Sequence, residues 1–372
     1  MRLSELQRRR LSNFRHNKRA WWSLWVFTTL FVMALFAELI ANDRPLVVRF
    51  QDQWHFPVAQ FHRETDYGGF FRTEADYTSA QVKCLIRTGG LPDCDTDDNA
   101  AAMSVYEDAA DGEVAGTPID KGWMIWPLIP YAFDTVSRNI DTAPAPPSRY
   151  HLLGTDDTAR DVLARIIYGF RISVLFALAF VSATTVLGII AGALQGYFGG
   201  TFDLLFQRFT EVWGSLPSLY IIIIMAAIFD MTFWLLFGIL VAFGWNALDG
   251  VVRAEFLRAR NFEYVRAARA LGIRNRVIIF RHVLPNAMVA TLTMLPFLVT
   301  GAIGTLAGLD FLGYGLPASY PSLGELAQQA KRHITSPWLG LSAFVTFTIM
   351  LSLLVFIFEG VRDAFDPRKT FG

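Results

Sequence analysis

Charged residues are scarce in this sequence, and their scarcity excludes an ordinary soluble domain. Asp, Glu, Lys and Arg make up 18% of the 372 residues, whereas soluble domains average roughly 25%. Apolar residues make up 53% of the chain, and they are gathered in long runs rather than spread evenly. A chain with this distribution is predicted to lie in a membrane.

Motifs for the common catalytic chemistries are also lacking. The sequence has no G-x-x-x-x-G-K-[ST] loop to hold nucleotide phosphates, no H-E-x-x-H, no C-x-x-C and no nucleophile elbow. Its histidines show no metal-ligand spacing, and His55 and His62 are predicted to be surface residues. We therefore predict a non-catalytic chain that binds no metal and no cofactor of its own.

Cysteine occurs only twice, as Cys84 and Cys94. In an oxidising compartment the pair is able to form a disulfide that closes a short loop. In a reducing compartment the two residues are separate thiols. The sequence leaves both states open.

Six apolar runs are predicted to cross the membrane as helices. A bilayer core of about 30 Å needs about 20 mostly apolar residues, and backbone groups in lipid must bond within the helix. The first run is longer than the apolar core of a signal peptide, so we interpret it as an uncleaved anchor. The predicted spans are residues 21–41, 172–197, 213–229, 231–247, 284–309 and 338–358.

The net charge is zero, but the two signs are segregated along the chain. Residues 1–19 and 253–281 are strongly basic, and residues 43–150 lean acidic. Basic loops stay on the inner side of a membrane, and the flanking apolar runs argue against a nucleic-acid partner. The predicted segments are a cytoplasmic N-terminus at 1–20, a first span at 21–41, an external insertion at 42–165, a transmembrane core at 166–360 with a cytoplasmic loop at 250–283, and a cytoplasmic tail at 361–372.

The cytoplasmic loop contains the most informative run, NFEYVRAARALGIRNRVIIFRHVLPN at residues 261–286. An apolar stripe is predicted along one helix face because its members follow the spacing i, i+3, i+4 and i+7. Those members are Tyr264, Ala267, Ala268 and Leu271. Glu263 places negative charge at the helix N-terminus, and Gly272 follows at a C′ position. The pattern predicts a short exposed helix that enters a groove on a soluble partner.

The same run resembles the signature loop of the integral-membrane subunits of bacterial ABC importers. That signature reads E-A-A, three residues, G, nine residues, I-x-L-P, and here Arg266 replaces its Glu and His282 its Ile. The form RAARALG…RHVLPN looks like the dipeptide and oligopeptide branch. HLLGTDDTARD at 151–161, with Ala159 in place of Gly, and GVRDAFDPR at 360–368 resemble two further motifs of that branch. The large insertion after the first span looks most like the Yej-type permeases for peptides or microcin C.

The resemblance implies an all-α fold of six transmembrane helices, the type I ABC importer permease fold, with a periplasmic insertion between helices 1 and 2. It implies a place in the bacterial inner membrane with both termini cytoplasmic. Implied partners are a second homologous permease, two ATP-binding subunits that carry ATP and Mg, a periplasmic peptide-binding protein, the peptide substrate and membrane lipid. The residues implied in coupling to the ATP-binding subunit are Glu263, Tyr264, Arg266, Ala267, Ala268, Leu271, Gly272, Leu284 and Pro285.

Glycines repeat at every fourth position in two of the predicted spans. Small residues at this spacing let helices approach closely in lipid. We therefore predict helix packing at Gly188, Gly192, Gly196, Gly304 and Gly308.

Two other classes of protein compete with the importer. An ion-coupled secondary transporter usually carries ionisable residues inside the membrane, and the middle of each predicted span is almost free of them. A membrane-anchored binding or sensor protein would use the external insertion, but it does not account for the loop signature or for five further spans.

Overall fold

The computed structural model describes residues 5–94, 96, 98–109, 113–114, 117–138, 140–317 and 319–365. The chain divides into two compact units, one formed by Val32–Tyr168 and the other by Met1–Phe31 with Gly169–Gly372. The tail motif predicted at 360–368 is described only as far as residue 365, and its last three residues lie outside the described part of the chain.

Most of the chain is helical. The N-terminal helices are α1 (Glu5–His16), α2 (Lys18–Leu35) and α3 (Ala37–Ile40). The short helices of the unit Val32–Tyr168 are α4 (Ala80–Thr88) and α5 (Asn99–Asp108). The later helices are α6 (Val162–Phe198), α7 (Gly200–Ser215), α8 (Ser218–Ile228), α9 (Phe233–Gly244), α10 (Asn246–Ala259), α11 (Glu263–Ala270), α12 (Asn275–Val277), α13 (Leu284–Leu312), α14 (Leu323–Arg332) and α15 (Pro337–Phe365).

Four helices within the described residues are long and apolar enough to cross a membrane. They are Val162–Phe198, Phe233–Ala259, Asn275–Leu312 and Pro337–Ala364. They contain the predicted spans at 172–197, 284–309 and 338–358 and all but the first two residues of the span predicted at 231–247. The span predicted at 21–41 is not among them. Its main helix α2 has 18 residues, begins with Lys18 and Arg19, and gives way to the short helix α3 after Phe36. Its apolar part is therefore shorter than the about 20 residues that a span needs.

The span predicted at 213–229 is not one continuous helix. Helix α7 ends at Ser215 and α8 begins at Ser218, and the two axes meet at an angle of 62°. The break falls at Leu216 and Pro217, because proline lacks the N–H that a continuing helix would use and the residue before it is pushed into extended backbone. The bent pair is a fifth candidate span only if both helices are counted together.

The helix of the span predicted at 231–247 continues beyond residue 247. Helices α9 and α10 form one apolar stretch, Phe233–Ala259, so the first ten residues of the predicted cytoplasmic loop at 250–283 are helix. This stretch continues through Asp249 and Arg253, which a hydropathy pattern treats as a helix end. Both side chains find polar partners inside the helical unit, and charged residues so paired do not stop an apolar helix.

The unit Val32–Tyr168 is not all-α. It contains a three-stranded antiparallel sheet in the order β2-β1-β5, formed by β1 (Val47–Phe50), β2 (Gln53–His55) and β5 (Trp123–Ile125). Two further short strands, β3 (Glu113–Val114) and β4 (Thr117–Pro118), pair with each other. The sheet forms because Val48 and Phe50 alternate with Val47 and Arg49, so one face of β1 is buried.

A side-chain core holds this unit together. Tyr67 and Tyr77 are buried, and their hydroxyls lie 3.1 Å apart. Burial raises the pKa of Tyr67 to about 12. Cys84 and Cys94 are joined by a disulfide, with their Cα atoms 5.4 Å apart, and both are buried in the same core.

His55 and His62 were predicted to be surface residues, and the structure shows both of them half-buried. Their rings pack edge to face with centroids 4.8 Å apart, and each also packs against Tyr67. Burial, followed by the charge of His62, lowers the pKa of His55. The two positions lie seven residues apart on different segments, and no local period in the sequence pairs them.

Candidate coupling helix

The predicted exposed helix is present as α11, and one of its faces is fixed to the helical unit. Val265 and Ala268 are buried and pack in a cluster with Ile278 and Val283 from the segment that follows. Ala268 was predicted to belong to the exposed apolar stripe. It lies instead about 60° around the helix from Val265, close enough to share the buried face.

Helix α11 ends at the predicted glycine. Gly272 has φ +71°, its N–H donates to the carbonyl of Arg269 at 3.0 Å, and the N–H of Ile273 donates to the carbonyl of Ala268 at 3.1 Å. These two bonds form a Schellman motif, in which glycine supplies the left-handed residue. Ile273 also packs against the same buried cluster as Ala268. The chain direction after α11 is therefore set by backbone bonds and by an apolar contact.

The neighbouring face of α11 is exposed and partly apolar. Leu271 is 80% exposed and Tyr264 is 39% exposed, and Ala267 lies between them on the same face. The guanidinium of Arg266 donates to the carbonyl of Asn261 at 3.0 and 2.9 Å, so it braces the segment before the helix. Glu263 is the first residue of the helix, where a negative charge is favourable.

Four residues that sequence reasoning missed position this helix. The guanidinium of Arg269 lies 4.8 Å above the ring of Tyr197, whose hydroxyl donates to Asn275 Oδ1 at 2.7 Å. On the exposed side, the amide of Asn286 donates to the hydroxyl of Tyr264 at 3.1 Å. These pairs join residues 22 to 78 positions apart, and no local pattern connects residues at such separations.

Leu284 and Pro285 lie inside a continuous helix rather than at its start. The stretch Asn275–Leu312 includes a π-helical turn at Ile278–Val283 directly before Leu284. Proline has no N–H to donate, and a wider turn before it accommodates the missing bond. Helix α11 is therefore followed by Gly272, which ends it, and by the π-helical turn with Pro285 in the next helix.

The glycines of α6 lie directly against α10. A Cβ built on Gly188 would lie 2.9 Å from the carbonyl oxygen of Trp245, and one built on Gly192 would lie 2.6 Å from that of Asp249. Gly196 is equally close to the carbonyl oxygen of Arg253, at 2.6 Å. Only glycine permits this approach of two backbones.

The glycines of α13 lie in different surroundings. Within the described part of the chain, nothing lies within 4 Å of a Cβ built on Gly304 or Gly308. No other helix among the described residues therefore packs against them, and their predicted role in helix packing stays a prediction.

Polar pairs lie beside the α6–α10 contact, although the predicted spans were almost free of charge. The amide of Gln195 donates to Asp249 at 2.6 Å, and both side chains are buried. Arg253 binds both carboxylate oxygens of Asp203 at 2.5 and 2.8 Å. A bidentate pair of this kind fixes orientation as well as charge, so these acids are held by protein partners.

The sequence matches the family model described as binding-protein-dependent transport system inner membrane component over residues 184–371. The chain belongs to this family. Residues 7–56 also match the model described as the N-terminal TM domain of oligopeptide transport permease C. The family inferred from the loop signature is confirmed, and the chain is an inner-membrane permease.

Similar proteins cover nearly the whole permease. It is 48% identical over 371 residues to the inner membrane ABC transporter permease protein YejE of Escherichia coli K12, which covers 99% of each chain. It is 48% identical to the peptidoglycan transport system permease protein YejE of Agrobacterium fabrum C58, over 99% of this chain and 94% of the other. It is 37% identical to the oligopeptide transport system permease protein OppC of Lactococcus lactis IL1403, over 60% of this chain and 78% of the other.

The permease carries a buried polar network where α6 begins. His151 Nδ1 donates to Asp161 at 2.9 Å, and the other oxygen of Asp161 accepts the backbone N–H of Ala164 at 2.8 Å. Asp161 is therefore the N-cap of α6. Ser137 completes the network by donating to His151 Nε2 at 3.1 Å.

The turn before this cap contains the position where the branch motif has glycine. Asp156 accepts from the backbone N–H groups of Thr158 and Arg160, both at 2.9 Å. The tight turn places Ala159 at φ +61°, a left-handed conformation that an L side chain disfavours. The glycine of the motif fits this backbone, and Ala159 occupies it under strain.

Proposed function

We propose that the permease is a transmembrane subunit of an ATP-driven importer that carries peptides or peptide-like compounds across the bacterial inner membrane. Two of its relatives support the substrate class, because their names refer to peptidoglycan and oligopeptide transport. A third is named as an ABC transporter permease and supports the ATP-driven importer. The motifs at 151–161 and 261–286 point to the same branch.

The proposed topology has six spans with both termini in the cytoplasm. The match of residues 7–56 to a model named for an N-terminal TM domain supports a first span at 21–41, although that helix is short in apolar residues. Residues 42–165 are then periplasmic and residues 166–360 form the core. The basic segments at 1–20, in the loop after α10 and at 361–372 lie inside, as expected for positive charge.

In this proposal the permease hydrolyses no ATP itself. Two ATP-binding chains hold ATP and Mg, a second homologous permease completes the substrate path, and a periplasmic binding protein delivers the peptide. ATP binding pushes α11, and the spans reorient between inward and outward access. Such coupling needs an element whose position both sides bias.

The exposed face of α11 is the observation that carries this mechanism. Tyr264, Ala267 and Leu271 form a shallow apolar surface, while Val265 and Ala268 on the neighbouring face are buried in the helical unit. Because one side of α11 is anchored in the helical unit, a partner that moves against its exposed apolar side moves the helical unit with it. Small and aromatic residues together are suited to a groove on a partner protein.

The test is a pair of matched substitutions on α11 in the reconstituted transporter. Ala267→Glu places a charge on the exposed apolar face, and we expect it to abolish ATP-driven peptide uptake while the protein still inserts. Ala270→Glu places the same charge on an exposed position, about 60° farther around the helix and away from Leu271. It is expected to keep most of the uptake, which is measured with a labelled peptide in proteoliposomes.

Wild-type uptake by Ala267→Glu would contradict the role of α11. Peptide uptake that runs on an ion gradient and needs no ATP would contradict the importer itself and favour a secondary transporter. Co-purification provides an independent check, because only the importer predicts two ATP-binding chains and a second permease bound to this one.

A further inference from the structure

A cleft of about 1390 Å³ lies within the unit Val32–Tyr168. Ligand pockets commonly measure about 300–1,000 Å³, so this cleft has room for a ligand of several residues. Its walls include the rings of Trp126, Tyr131 and Tyr150 and the adjacent prolines Pro146 and Pro147. Rings and prolines offer flat apolar surfaces, and nothing in the coupling mechanism uses them.

One wall of the cleft presents a cation without an anionic partner. Lys83 is half-buried, and its ammonium lies 5.9 Å from the centroid of the Trp126 ring. Burial lowers the pKa of Lys83, and the charge of Asp76 partly opposes this effect. Asp76 is engaged by the hydroxyl and N–H of Thr78 and lies 3.9 Å from Arg138. Among the described residues, no carboxylate lies within ion-pair distance of Lys83.

The cleft also presents an acid that is free to bind a cation. Asp141 is exposed and has no hydrogen bond or ion pair with any residue that the structure describes. Asp43 is already engaged, because it accepts the hydroxyl of Thr135 at 2.9 Å. The cleft therefore combines Lys83, which is able to bind an anion, Asp141, which is able to bind a cation, and apolar walls.

We infer that this cleft is a binding site for short peptides with free termini, with the peptide carboxylate on Lys83, its ammonium on Asp141 and its side chains against the aromatic walls. A zwitterion matches both charges, whereas a neutral sugar would leave Lys83 and Asp141 without partners. The inference deepens the proposed function and rests on it for the choice of a peptide over other zwitterions.

The floor of the cleft borders the network that caps α6. His151 and Ser137 line the cleft, and the ring of Tyr131 stacks over His151 with centroids 4.5 Å apart. His151 is in turn bonded to Asp161, the N-cap of α6. A ligand that contacts Tyr131 therefore lies two side chains from the first turn of α6.

The test uses the full-length chain in lipid nanodiscs, with no binding protein or ATP-binding chain present. Calorimetric titration with trialanine is compared with titration of N-acetyl-trialanine amide, in which both charges are removed. We expect trialanine to bind and the blocked peptide to bind at least about 10-fold more weakly, since a hydrogen bond to a charged group contributes roughly 1.5–3 kcal/mol. Absence of trialanine binding, or equal binding of both peptides, would overturn the inference.

Matched variants locate the site. Lys83→Gln and Asp141→Asn are expected to weaken trialanine binding about 10-fold each. Lys121→Gln and Asp134→Asn remove the same charges from exposed positions of this unit that do not line the cleft, and they should bind as the wild type does. Equal effects in both pairs would place the peptide elsewhere on the chain and overturn the inference.

Failure of the inference and failure of the proposed function give different results. If the assembled transporter takes up trialanine with ATP while the isolated chain does not bind it, the cleft is not a peptide site and the importer function stands. If the assembled transporter takes up no peptide with ATP, the importer function fails, and the nanodisc titration still decides what the cleft binds.

Discussion

The two units of the permease differ in the contacts that stabilise each of them internally. In the helical unit, Gly188, Gly192 and Gly196 bring α6 within backbone contact of α10. In the unit Val32–Tyr168, large side chains such as Tyr67 and Tyr77 fill the core, and a disulfide joins α4 to the segment after it. The helical unit gains this contact because α6 has no side chain at three positions that face α10, whereas the other unit gains its contacts by burying large side chains.

This difference is the one expected from the proposed topology, in which the helical unit lies in lipid and the unit Val32–Tyr168 lies in water. Apolar spans in lipid gain little from burying apolar surface against each other, so close packing through small residues stabilises them. A unit in water gains from removing apolar surface from solvent, and a covalent cross-link adds to this by restricting the unfolded chain. Adding a side chain at the α6–α10 contact should therefore destabilise the helical unit, whereas removing side chains or the cross-link should destabilise the unit Val32–Tyr168.

The sharpest test of the comparison is Gly192→Ala. The new methyl group would lie 2.6 Å from the carbonyl oxygen of Asp249 and 2.8 Å from the N–H nitrogen of Arg253, which are backbone atoms that cannot turn aside. We expect the free energy of unfolding to fall by roughly 3 kcal/mol, the upper end of the range for overpacking. Reversible unfolding in mixed micelles measures the change.

Gly304→Ala is the matched control in the same unit. Its methyl group meets open space within this chain, and alanine favours a helix over glycine by roughly 0.8–1 kcal/mol. The isolated permease should therefore be unchanged or slightly more stable. If both substitutions destabilise it equally, the α6–α10 contact does not have the importance that the comparison gives it.

The next largest effect is expected in the other unit, on removal of the disulfide. Replacing Cys84 and Cys94 with serine frees a loop whose ends are 10 residues apart, and the loss is expected to be about 2–3 kcal/mol. Hydrogen exchange should become faster at the amides of α4 and α5 and stay unchanged at those of α6 and α10. Faster exchange spread evenly over both units would show that they do not unfold separately.

Local patterns predicted much of the coupling helix. The spacing of Tyr264, Ala267 and Leu271 and the glycine at 272 predicted the exposed face of α11 and its end, because both depend on residues within two helical turns. The spacing of the glycines of α6 likewise predicted a close contact between helices. The sequence could not tell which helix they meet, since the partner positions lie about 57 residues away, as Gly188 and Trp245 show.

The wrong predictions arose where tertiary contacts override a local signal. Asp249 and Arg253 looked like the end of a span, but Gln195 and Asp203 bind them and the helix continues. Ala268 was assigned to the exposed face because the stripe spacing does not say which edge of the stripe is covered. The break at Pro217 was available from the sequence, since proline interrupts an apolar run as readily as a soluble helix.

The smallest expected effect tests whether backbone conformation alone changes stability in the unit Val32–Tyr168. Ala159 has φ +61°, which costs an L residue roughly 1–2 kcal/mol. Ala159→Gly removes that strain, but it also gives the unfolded chain more freedom, worth roughly 0.4–1 kcal/mol in the opposite direction. We expect a net gain of about 0.5–1 kcal/mol, measured as a higher midpoint of thermal unfolding.

Ala159→Val provides the opposite change at the same position, because a β-branched side chain is less tolerant of the left-handed region than alanine. The midpoint should therefore rise with glycine and fall with valine. A fall with glycine would mean that the methyl group of Ala159 makes a contact that outweighs its strain. In that case the replacement of the motif's glycine by alanine would be a stabilising feature of this turn, and the unit would depend on side-chain packing even where its backbone is most constrained.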